Sequence, residues 1–465
     1  MSHSTRFDAI IIGSGQAGTP LAYALADAGR QVALVEQHYL GGSCINYGCS
    51  PTKALLTAAH RTHAIRTAGE LGLRVAEPVV DMAAVMARKD ALVQRHREAI
   101  RKNLTQEHAG IRVLHGHAAF TGPHTLLVTP TQGAQAALIT APLVFINTGT
   151  RARLPAVPGL AEVGVLDNET LLDLAELPEH LLIIGGSYIG VEFGQMYRRF
   201  GSRVTIVETE AALMSREDAD VQQGLLKVLK DEGVECVLGA EVQHASRAAD
   251  RHLTLTVRTR GGTGRRLRGS HLLVAAGRQP NTDSLNLKAA GIKTDERGYI
   301  QVDEHLRTGV RGVYALGDVK GGPQFTHISY DDYRLVRDQV LHGHVRGTGG
   351  RPLPYVVFTE PQLGRVGLSE KEAQARGVAY RVGKLPVEHI GRARETGQTA
   401  GFIKVLVGAD DRLLGAAVLC AEGGELMSLL QVAMAGGLKY QQLRDMVLAH
   451  PTWSEAVNNL FGRLK

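Results

Sequence analysis

The sequence predicts an α/β fold that contains two Rossmann-like units. The first is a β-type run ending at Gly13, followed by a glycine-rich turn, a helix-like stretch to Ala28 and a second strand ending at Glu36. The second unit runs from Gly185 to Glu208 and repeats the same spacing and order of elements. A strand, a glycine turn, a helix and a strand-end acid together form the dinucleotide-binding fingerprint. Each unit is therefore expected to bind a dinucleotide.

Length and composition favour a multidomain globular protein. A chain of 465 residues predicts about three domains, at roughly 150 residues each. With 44% hydrophobic and 21% charged residues, large cores are possible and disorder is not expected. No apolar run approaches the ~20 residues of a membrane span, so the sequence predicts no membrane association.

The positive charge of the chain does not indicate a nucleic-acid partner. The formal net charge is +6 and is spread along the sequence. The densest basic segment, residues 86–104, predicts a helix with charges on its solvated side. Aromatic residues are not interleaved with these charges, which argues against nucleic-acid binding. The expected apolar stripe of this helix comprises Ala91, Leu92, Ala99, Ile100 and Leu104.

The first fingerprint assigns a role to each glycine. Gly13 makes the tight turn, Gly15 lets the backbone approach a pyrophosphate, and Gly18 lets the helix pack closely on the strand. Glu36 can accept hydrogen bonds from a ribose diol. A tight strand–helix turn without a ligand is the alternative. The predicted nucleotide contacts here are Gly13, Ser14, Gly15, Ala17, Gly18 and Glu36.

The second fingerprint departs from the pattern at one position. Ser187 stands where the middle glycine belongs, so its Cβ crowds the pyrophosphate while its hydroxyl could donate to a phosphate oxygen. Glu208 would repel a 2′-phosphate and accept a bond from a free 2′-OH, which predicts NADH in preference to NADPH. The predicted nucleotide contacts here are Gly185, Gly186, Ser187, Tyr188, Ile189, Gly190 and Glu208.

Two cysteines separated by four residues, Cys44 and Cys49, precede the helix-forming stretch that begins near Pro51. A helix N-terminus lowers a thiol pKa, which suits a redox-active pair. A structural disulfide is disfavoured, because the chain opens without a secretory leader and is expected in the reducing cytoplasm. A structural metal site is not expected either, because zinc would need more thiols. The remaining thiols, Cys236 and Cys420, are expected to be small buried core residues.

In sequence order, the two fingerprints, the CxxxxC pair, the GD motif of VYALGDVKGG and the HPTWSE segment resemble the flavoprotein disulfide reductases. This class I pyridine nucleotide-disulfide oxidoreductase resemblance runs from Phe7 to about Phe461. It implies an FAD-binding domain in two parts, residues 1–150 and 281–350, around an NAD-binding domain at 151–280. It also implies an α+β dimerisation domain at 351–465, and hence a homodimer.

The resemblance also implies further site residues. Lys53 and Glu192 would form an ion pair close to the flavin, although an exposed acid on the helix is the alternative for Glu192. Tyr188 resembles an aromatic lid over the nicotinamide, or it simply packs at the helix start. Asp318 would bond the ribityl chain. The other predicted cofactor contacts are Gly42, Ser43, Gly116, Ala118, Thr148, Gly149, Gly277 and Thr326.

The C-terminal HPTWSE segment would supply the acid–base group. His450 is followed by Glu455 at a distance that lets the acid orient the imidazole. The resemblance implies that this histidine serves the active site of the other subunit. Cys49 would then be the thiol on the flavin side, and Cys44 the outer thiol that meets the substrate.

The final electron acceptor is the least determined feature. The opening GSGQAGTPLA and Ser187 resemble the mercuric reductase-related branch, but the C-terminus NNLFGRLK lacks a vicinal cysteine pair and no N-terminal metal-capture domain is expected. A soft or oxidised metal such as Cu(II), held by Cys44 and Cys49, or an oxidative-stress acceptor is the first hypothesis. Dihydrolipoamide dehydrogenase is the second. A flavoprotein redox sensor with low turnover is the third.

Overall fold

The computed structural model describes residues 4–133, 135–249, 252–262 and 264–464. The chain separates into two compact units. Unit 1 comprises Met1–Ala54, Ala87–Arg153 and Gly277–Arg351, and unit 2 comprises Leu55–Met86, Leu154–Ala276 and Pro352–Lys465. Among the helices of the described residues, none has the length and apolarity that crossing a membrane requires.

The described residues contain both strands and helices along the whole chain. The strands are β1 Thr5–Arg6, β2 Ala9–Ile12, β3 Val32–Glu36, β4 Ile111–Gly122, β5 Thr125–Pro130, β6 Ala137–Thr140, β7 Leu143–Ile146, β8 Thr150–Ala152, β9 His180–Ile184, β10 Arg203–Val207, β11 Glu235–Val237, β12 Ala240–Arg247, β13 Leu253–Thr259, β14 Gly264–Gly269, β15 His271–Val274, β16 Arg278–Pro280, β17 Val313–Ala315, β18 Tyr355–Val357, β19 Gln362–Gly367, β20 Tyr380–Pro386, β21 Phe402–Gly408 and β22 Leu413–Cys420. The α-helices are α1 Gly18–Asp27, α2 Gly42–Asn46, α3 Cys49–Arg66, α4 Met82–Lys102, α5 Tyr188–Phe200, α6 Ala219–Asp231, α7 Thr326–His342, α8 Glu370–Ala375, α9 Gly391–Thr396, α10 Gly423–Ala435, α11 Tyr440–Arg444 and α12 Ala456–Phe461.

In the described residues of unit 1, one sheet has the order β1-β6-β5-β4-β3-β2-β7-β17. The segment β4-β3-β2-β7-β17 is parallel, and β5 and β6 extend it with antiparallel pairs. Strand β2 is buried throughout: Ile10 and Ile12 enter one core, whereas Ala9 and Ile11 enter the other. A strand buried on both faces reads as a continuous apolar run, as the sequence shows.

Unit 2 contains a second parallel sheet, of order β11-β10-β9-β15. Strands β12, β13 and β14 form a separate antiparallel sheet. The C-terminal part is an antiparallel sheet of order β18-β19-β22-β21-β20, and its core includes residues from α10 and α12. The predicted fold class is confirmed: two Rossmann-like sheets are followed by an α+β segment.

The basic segment forms the predicted helix, but its buried face differs from the prediction. Helix α4 buries Met82, Met86 and Val93, and Leu104 follows in a π-helical turn at Asn103–Glu107. Ala91 and Ala99 were expected in the apolar stripe and are exposed. The 3.6-residue period carries the buried face through 82, 86 and 93, which leaves both alanines on the solvent side.

The two thiols outside the CxxxxC pair differ in burial. Cys420 is buried in β22, as expected, and burial raises its pKa to about 12. Cys236 is only half-buried, so its assignment to a core is wrong. It lies in β11, which is the edge strand of its sheet among the residues that the structure describes. Burial still raises its pKa to about 11, which keeps the thiol protonated at neutral pH.

Replacing Gly190 by alanine should destabilise the second Rossmann-like sheet. A Cβ at this position would lie 1.9 Å from the carbonyl oxygen of Gly185, in backbone that has little room to move. We expect a loss of about 1–3 kcal/mol in the free energy of unfolding, measured by urea denaturation, together with weaker nucleotide binding. Gly69→Ala is the matched control, because a Cβ there meets no atom within 4 Å. Equal stability of the two variants would contradict this packing.

Candidate active site

The first glycine turn is formed by backbone segments in direct contact. Gly13 has φ +96°, and a Cβ there would lie 2.4 Å from the carbonyl oxygen of Asn147. A Cβ on Gly18 would lie 2.2 Å from the carbonyl oxygen of Gly13. Within the described residues, no hydrogen bond uses the N–H groups of residues 15–17. These donors at the start of α1 are therefore available to a pyrophosphate.

In each Rossmann-like unit, the acid at the end of the second strand is hydrogen-bonded to the glycine turn of the same unit. Glu36 accepts hydrogen bonds from the N–H of Ser14 at 2.9 Å and from its hydroxyl at 2.7 Å. Glu208 accepts from the N–H of Gly186 at 2.6 Å and from the N–H of Glu210 at 2.9 Å. The two fingerprints thus fold alike, and each fixes its carboxylate beside the turn that would bind a phosphate.

Asn147 is a structural residue that the sequence analysis missed. It directly follows β7 and is buried. Its Oδ1 accepts a hydrogen bond from the N–H of Gly18 at 2.9 Å, and its Nδ2 donates to the carbonyl of Leu316 at 3.0 Å. One side chain therefore joins the glycine turn to the GD motif. An asparagine that ends an apolar run, VFIN, was the only signal.

The GD motif forms a 3-10 turn, Gly317–Lys320, that carries Asp318. Asp318 accepts a hydrogen bond from the Thr150 hydroxyl at 3.2 Å, and burial raises its carboxyl pKa above the usual range. Asp332, also missed from sequence, is fully buried behind this turn. It accepts from the N–H of Gly317 at 2.9 Å and pairs with Lys320 at 3.3 Å. These two contacts of Asp332 stabilise the turn that carries Asp318.

These features fit a flavin dinucleotide. A Cβ on Gly42 would lie 2.7 Å from the Cα of Gly15, so the two loops form a close cradle without side chains. Unused N–H donors, a strand-end carboxylate and a second carboxylate at Asp318 suit a pyrophosphate and two polyol portions. Gly116 and Ala118 are buried in β4, next to the strand that ends at Glu36.

Three further predicted contacts of unit 1 are Thr148, Gly149 and Ser43. The Thr148 hydroxyl donates to the carbonyl of Asn281 at 2.9 Å. Gly149 has φ +67° and faces open space, because a Cβ there would meet no atom within 4 Å. Ser43 is exposed in α2. Their contacts with a cofactor stay predictions.

The structure places both cysteines of the CxxxxC pair at helices, as thiols rather than as a disulfide. Cys44 lies in α2 and is half-buried, whereas Cys49 is exposed and begins the long helix α3. The Sγ of Cys49 is 3.2 Å from the hydroxyl oxygen of Thr326, the first residue of α7. A thiolate at Cys49 is therefore favoured by the N-terminus of its own helix and by a hydroxyl donor.

The expectation of a lowered thiol pKa is wrong for Cys44. Its pKa is raised far above the usual range, first because its thiol hydrogen-bonds to Cys49 and second because it is partly buried. The reduced pair therefore keeps the negative charge on Cys49 and a proton on Cys44. A base is needed before Cys44 can act as a nucleophile or as a metal ligand.

In unit 2, the structure brings His450 and Glu455 together. The imidazole Nδ1 lies 2.9 and 3.0 Å from the two carboxylate oxygens, and the His450 side chain is 73% exposed. Within the described part of the chain, no hydrogen bond involves its Nε2. Thr452, missed from sequence, accepts a hydrogen bond from the N–H of Glu455 at 3.2 Å and so stabilises the turn.

The residues predicted to contact the nicotinamide nucleotide include several on or next to α5, whereas Gly277 lies elsewhere in the chain. Glu192 is buried and accepts a hydrogen bond from the N–H of Phe358 at 2.9 Å, so the alternative of an exposed acid is wrong. Its pairing with Lys53 stays a prediction. Ser187 is exposed, and Tyr188 and Ile189 are half-buried in the first turn of α5. Gly277, with φ +109°, directly precedes β16.

Comparison with known proteins identifies the family. Residues 7–332 match the family model of the pyridine nucleotide-disulphide oxidoreductases, and residues 353–461 match the dimerisation domain of the same family. The chain belongs to this family. It is therefore an oxidoreductase of the flavoprotein disulfide reductase type, as the sequence predicted.

Several relatives match nearly the whole chain. The probable pyridine nucleotide-disulfide oxidoreductase RclA of Escherichia coli is 40% identical, covering 99% of this chain and 100% of its own. A mercuric reductase of Streptomyces lividans is 35% identical over 97% and 95% of the two chains. A dihydrolipoyl dehydrogenase of Geobacillus stearothermophilus is 32% identical over 96% and 94%.

A solved structure shares the fold over nearly its whole length. It is the Cu(II) complex of the HOCl-induced flavoprotein disulfide reductase RclA from Escherichia coli, with a TM-score of 0.90 and 40% identity. The match covers 98% of this chain and 99% of that chain. Membership of the family implies FAD and a pyridine nucleotide as cofactors.

Asn147→Ala should lower both stability and flavin content. The substitution leaves the N–H of Gly18 and the carbonyl of Leu316 buried without their partner. We expect a loss of about 2–4 kcal/mol in the free energy of unfolding, since each unsatisfied buried group costs about 1–3 kcal/mol. Thermal unfolding and the flavin-to-protein absorbance ratio measure the two effects. Gln37→Ala, at an exposed position, is the control, and a variant of Asn147 as stable and as yellow as this control would refute the assignment.

Cys49→Ser should lower the pKa of Cys44 in the reduced protein. The hydrogen bond to Cys49 is the largest cause that raises this pKa, and a neutral hydroxyl would not hold the Cys44 proton as a thiolate does. The Cys44 thiolate would then form at lower pH, so its alkylation by iodoacetamide should become fast at lower pH than in the wild type. Peptide mass spectrometry at a series of pH values measures this change. The profile of Cys236 should not change, and an unchanged Cys44 profile would count against the coupling.

Proposed function

We propose that this protein is an FAD-dependent NADH oxidoreductase that relays electrons through the Cys44–Cys49 disulfide to a metal ion of the Cu(II) type, or to an oxidative-stress acceptor. The observation that carries the proposal is the thiol pair itself, half-buried at Cys44 and exposed at Cys49. Thiolates favour soft metal ions. The 40% identity to a reductase solved as a Cu(II) complex supports the same acceptor class.

The residues of each unit would divide the work. The glycine turn, Glu36 and Asp318 would hold FAD, which when bound would supply a path for an electron pair from the nicotinamide to the disulfide. Cys49 carries the negative charge of the reduced pair, favoured by Thr326 and by the start of α3. Cys44 keeps its proton until a base removes it.

The oxidation of the dithiol balances with two one-electron acceptors. Deprotonated Cys44 and Cys49 bind the metal, and a sulfur–sulfur bond forms as two electrons pass to two Cu(II) ions. The products are the disulfide, two Cu(I) ions and the single proton that Cys44 carried. His450 would accept the Cys44 proton through Nε2, while Glu455 holds the imidazole through Nδ1.

A homodimer with shared active sites accounts for the exposure of His450. The chain has a dimerisation domain, and 73% of the histidine side chain is accessible. We propose that the imidazole of one subunit serves the cysteines of the other. The cytoplasm stays the proposed location, because it is a reducing compartment and the redox pair must be reduced in each turnover.

The acids after β10 support NADH as the preferred donor. Glu208 is fixed by the N–H of Gly186, and Glu210 follows two residues later with its side chain exposed. Two carboxylates beside the adenosine ribose would repel a 2′-phosphate. Ser187 is exposed in the glycine turn, where its hydroxyl could donate to a phosphate oxygen.

Dihydrolipoamide dehydrogenase is the second candidate. The hydrogen-bonded His450–Glu455 pair suits proton transfer to a dithiol substrate equally well, and a dihydrolipoyl dehydrogenase matches at 32% identity. A redox sensor with low turnover is the third candidate, and a flavoprotein that NADH reduces without turnover on any acceptor would favour it.

NADH oxidation by the purified yellow protein should depend on Cu(II), and Cys44→Ser should lower this activity at least ~100-fold because the outer thiol is lost. Absorbance at 340 nm and a Cu(I)-specific chromogenic chelator measure both half-reactions, with rates corrected for copper without enzyme. NADPH should support a lower kcat/KM than NADH. Cys236→Ser is the matched control and should retain full activity. Unchanged activity of the Cys44→Ser variant would refute the electron relay through the disulfide. Turnover with lipoamide but not with Cu(II) or Hg(II) would instead establish a dihydrolipoamide dehydrogenase.

A further inference from the structure

The loop between the two cysteines is tied down by a buried asparagine. Asn46 is the last residue of α2, lies between Cys44 and Cys49 in sequence, and is 7% exposed. Its Nδ2 donates to the carbonyl of Gly42 at 2.8 Å and to the carbonyl of Leu40 at 3.0 Å. Both acceptors belong to the backbone that leads into the pair. The Asn46 side chain thus links the end of α2 to the backbone that precedes Cys44.

The acceptor oxygen of this asparagine is occupied from another helix. Arg97, on α4, donates a hydrogen bond from Nε to Oδ1 of Asn46. The same guanidinium lies 3.6 Å from the centroid of the Tyr39 ring. Stacking on an aromatic face and donating in the guanidinium plane are both features of arginine that lysine cannot reproduce. Arg97 is thereby fixed in one orientation.

The loop makes close backbone contacts at two of its glycines. A Cβ on Gly48 would lie 2.8 Å from the carbonyl oxygen of Ser43 and 3.2 Å from the Cα of Cys44. On its other side, Gly42 touches the backbone of Gly15 in the glycine turn. Because these contacts restrict the backbone on both sides of Asn46, we expect a displacement of Asn46 to move Cys44 relative to Cys49.

We propose that Arg97 is a positioning residue for the redox pair, which acts through Asn46 to fix the separation of Cys44 and Cys49 and so sets the reduction potential of their disulfide. This inference rests on the proposed function of the pair. The reduced pair is stabilised by the hydrogen bond between the Cys44 thiol and Cys49. Stabilising the dithiol raises a reduction potential, so loosening the loop should lower it.

The test compares holoenzymes with substitutions along α4. We expect Arg97→Gln to shift the thiol–disulfide equilibrium of the pair toward the disulfide by about tenfold, which corresponds to ~30 mV at two electrons. Redox buffers of dithiothreitol, followed by alkylation and mass spectrometry of Cys44 and Cys49, measure the equilibrium. Arg97→Lys should behave like Arg97→Gln, because it restores the charge but not the Nε–H donor in its plane. Arg101→Gln is the matched control, since Arg101 is exposed on the next turn and pairs only with Glu98 among the described residues.

A second readout separates positioning from general stability. The pH at which Cys44 becomes alkylated should fall in Arg97→Gln, because a weakened hydrogen bond to Cys49 releases the Cys44 proton more easily. Tyr39→Leu removes only the stacking partner and should give a smaller shift of the same sign. It decides the question if Arg97→Gln does not fold.

Two failures can be told apart. A wild-type pair that NADH does not reduce would overturn the proposed function, whereas the dithiothreitol equilibrium would still decide the role of Arg97. If Arg97→Gln, or Tyr39→Leu in its place, keeps the wild-type equilibrium and the wild-type pH profile of Cys44, the positioning role is refuted. A shift of equal size in Arg101→Gln would also refute it, since a general charge effect would then explain the result.

Discussion

Direct backbone contact at the end of the first parallel sheet is the constraint on which the candidate site depends. The carbonyl of Asn147 lies so close to Gly13 that a Cβ would overlap it, and Gly13 in turn leaves no room for a side chain at Gly18. The Asn147 side chain then joins Gly18 to Leu316, at the entrance to the GD motif. Three chain segments distant in sequence are thus fixed at one sheet edge, where a dinucleotide would meet its donors and carboxylates.

The loop that carries Cys44 and Cys49 is attached to the same glycine turn. The N–H of Gly41 donates to the hydroxyl of Ser14 at 3.0 Å, and Gly42 packs on Gly15. Because Asn46 is bonded to Gly42, the loop with the two thiols is continuous with the glycine turn. A cofactor bound to the glycine turn would therefore have a fixed position relative to the two thiols, because such close packing leaves little room for small shifts.

Electrostatics then divide the two chemically identical thiols. Cys49 begins an 18-residue helix and contacts a hydroxyl, so a negative charge is favoured there. Cys44 is partly buried and shares its proton with Cys49, which keeps it neutral. Cys49 is thus suited to carry a negative charge, and Cys44 is suited to proton transfer. This difference fits a relay in which a separate base, here proposed to be His450, removes the proton from Cys44.

The sequence by itself determined the local elements: both glycine turns, the thiol pair at a helix start, the GD turn and the His450–Glu455 pair. These are predictable because a positive φ or a close backbone approach demands glycine, and because short spacings fix which side chains can meet. Only the tertiary structure decided the partners of Asn46, Asn147 and Thr326, the raised pKa of Cys44 and the edge position of Cys236. Hydrogen bonds such as Asn147 to Gly18 and Cys49 to Thr326 join residues 129 and 277 positions apart, and such contacts leave no periodic trace in a sequence. A thiol pKa likewise depends on burial and on neighbours that only the folded chain brings together.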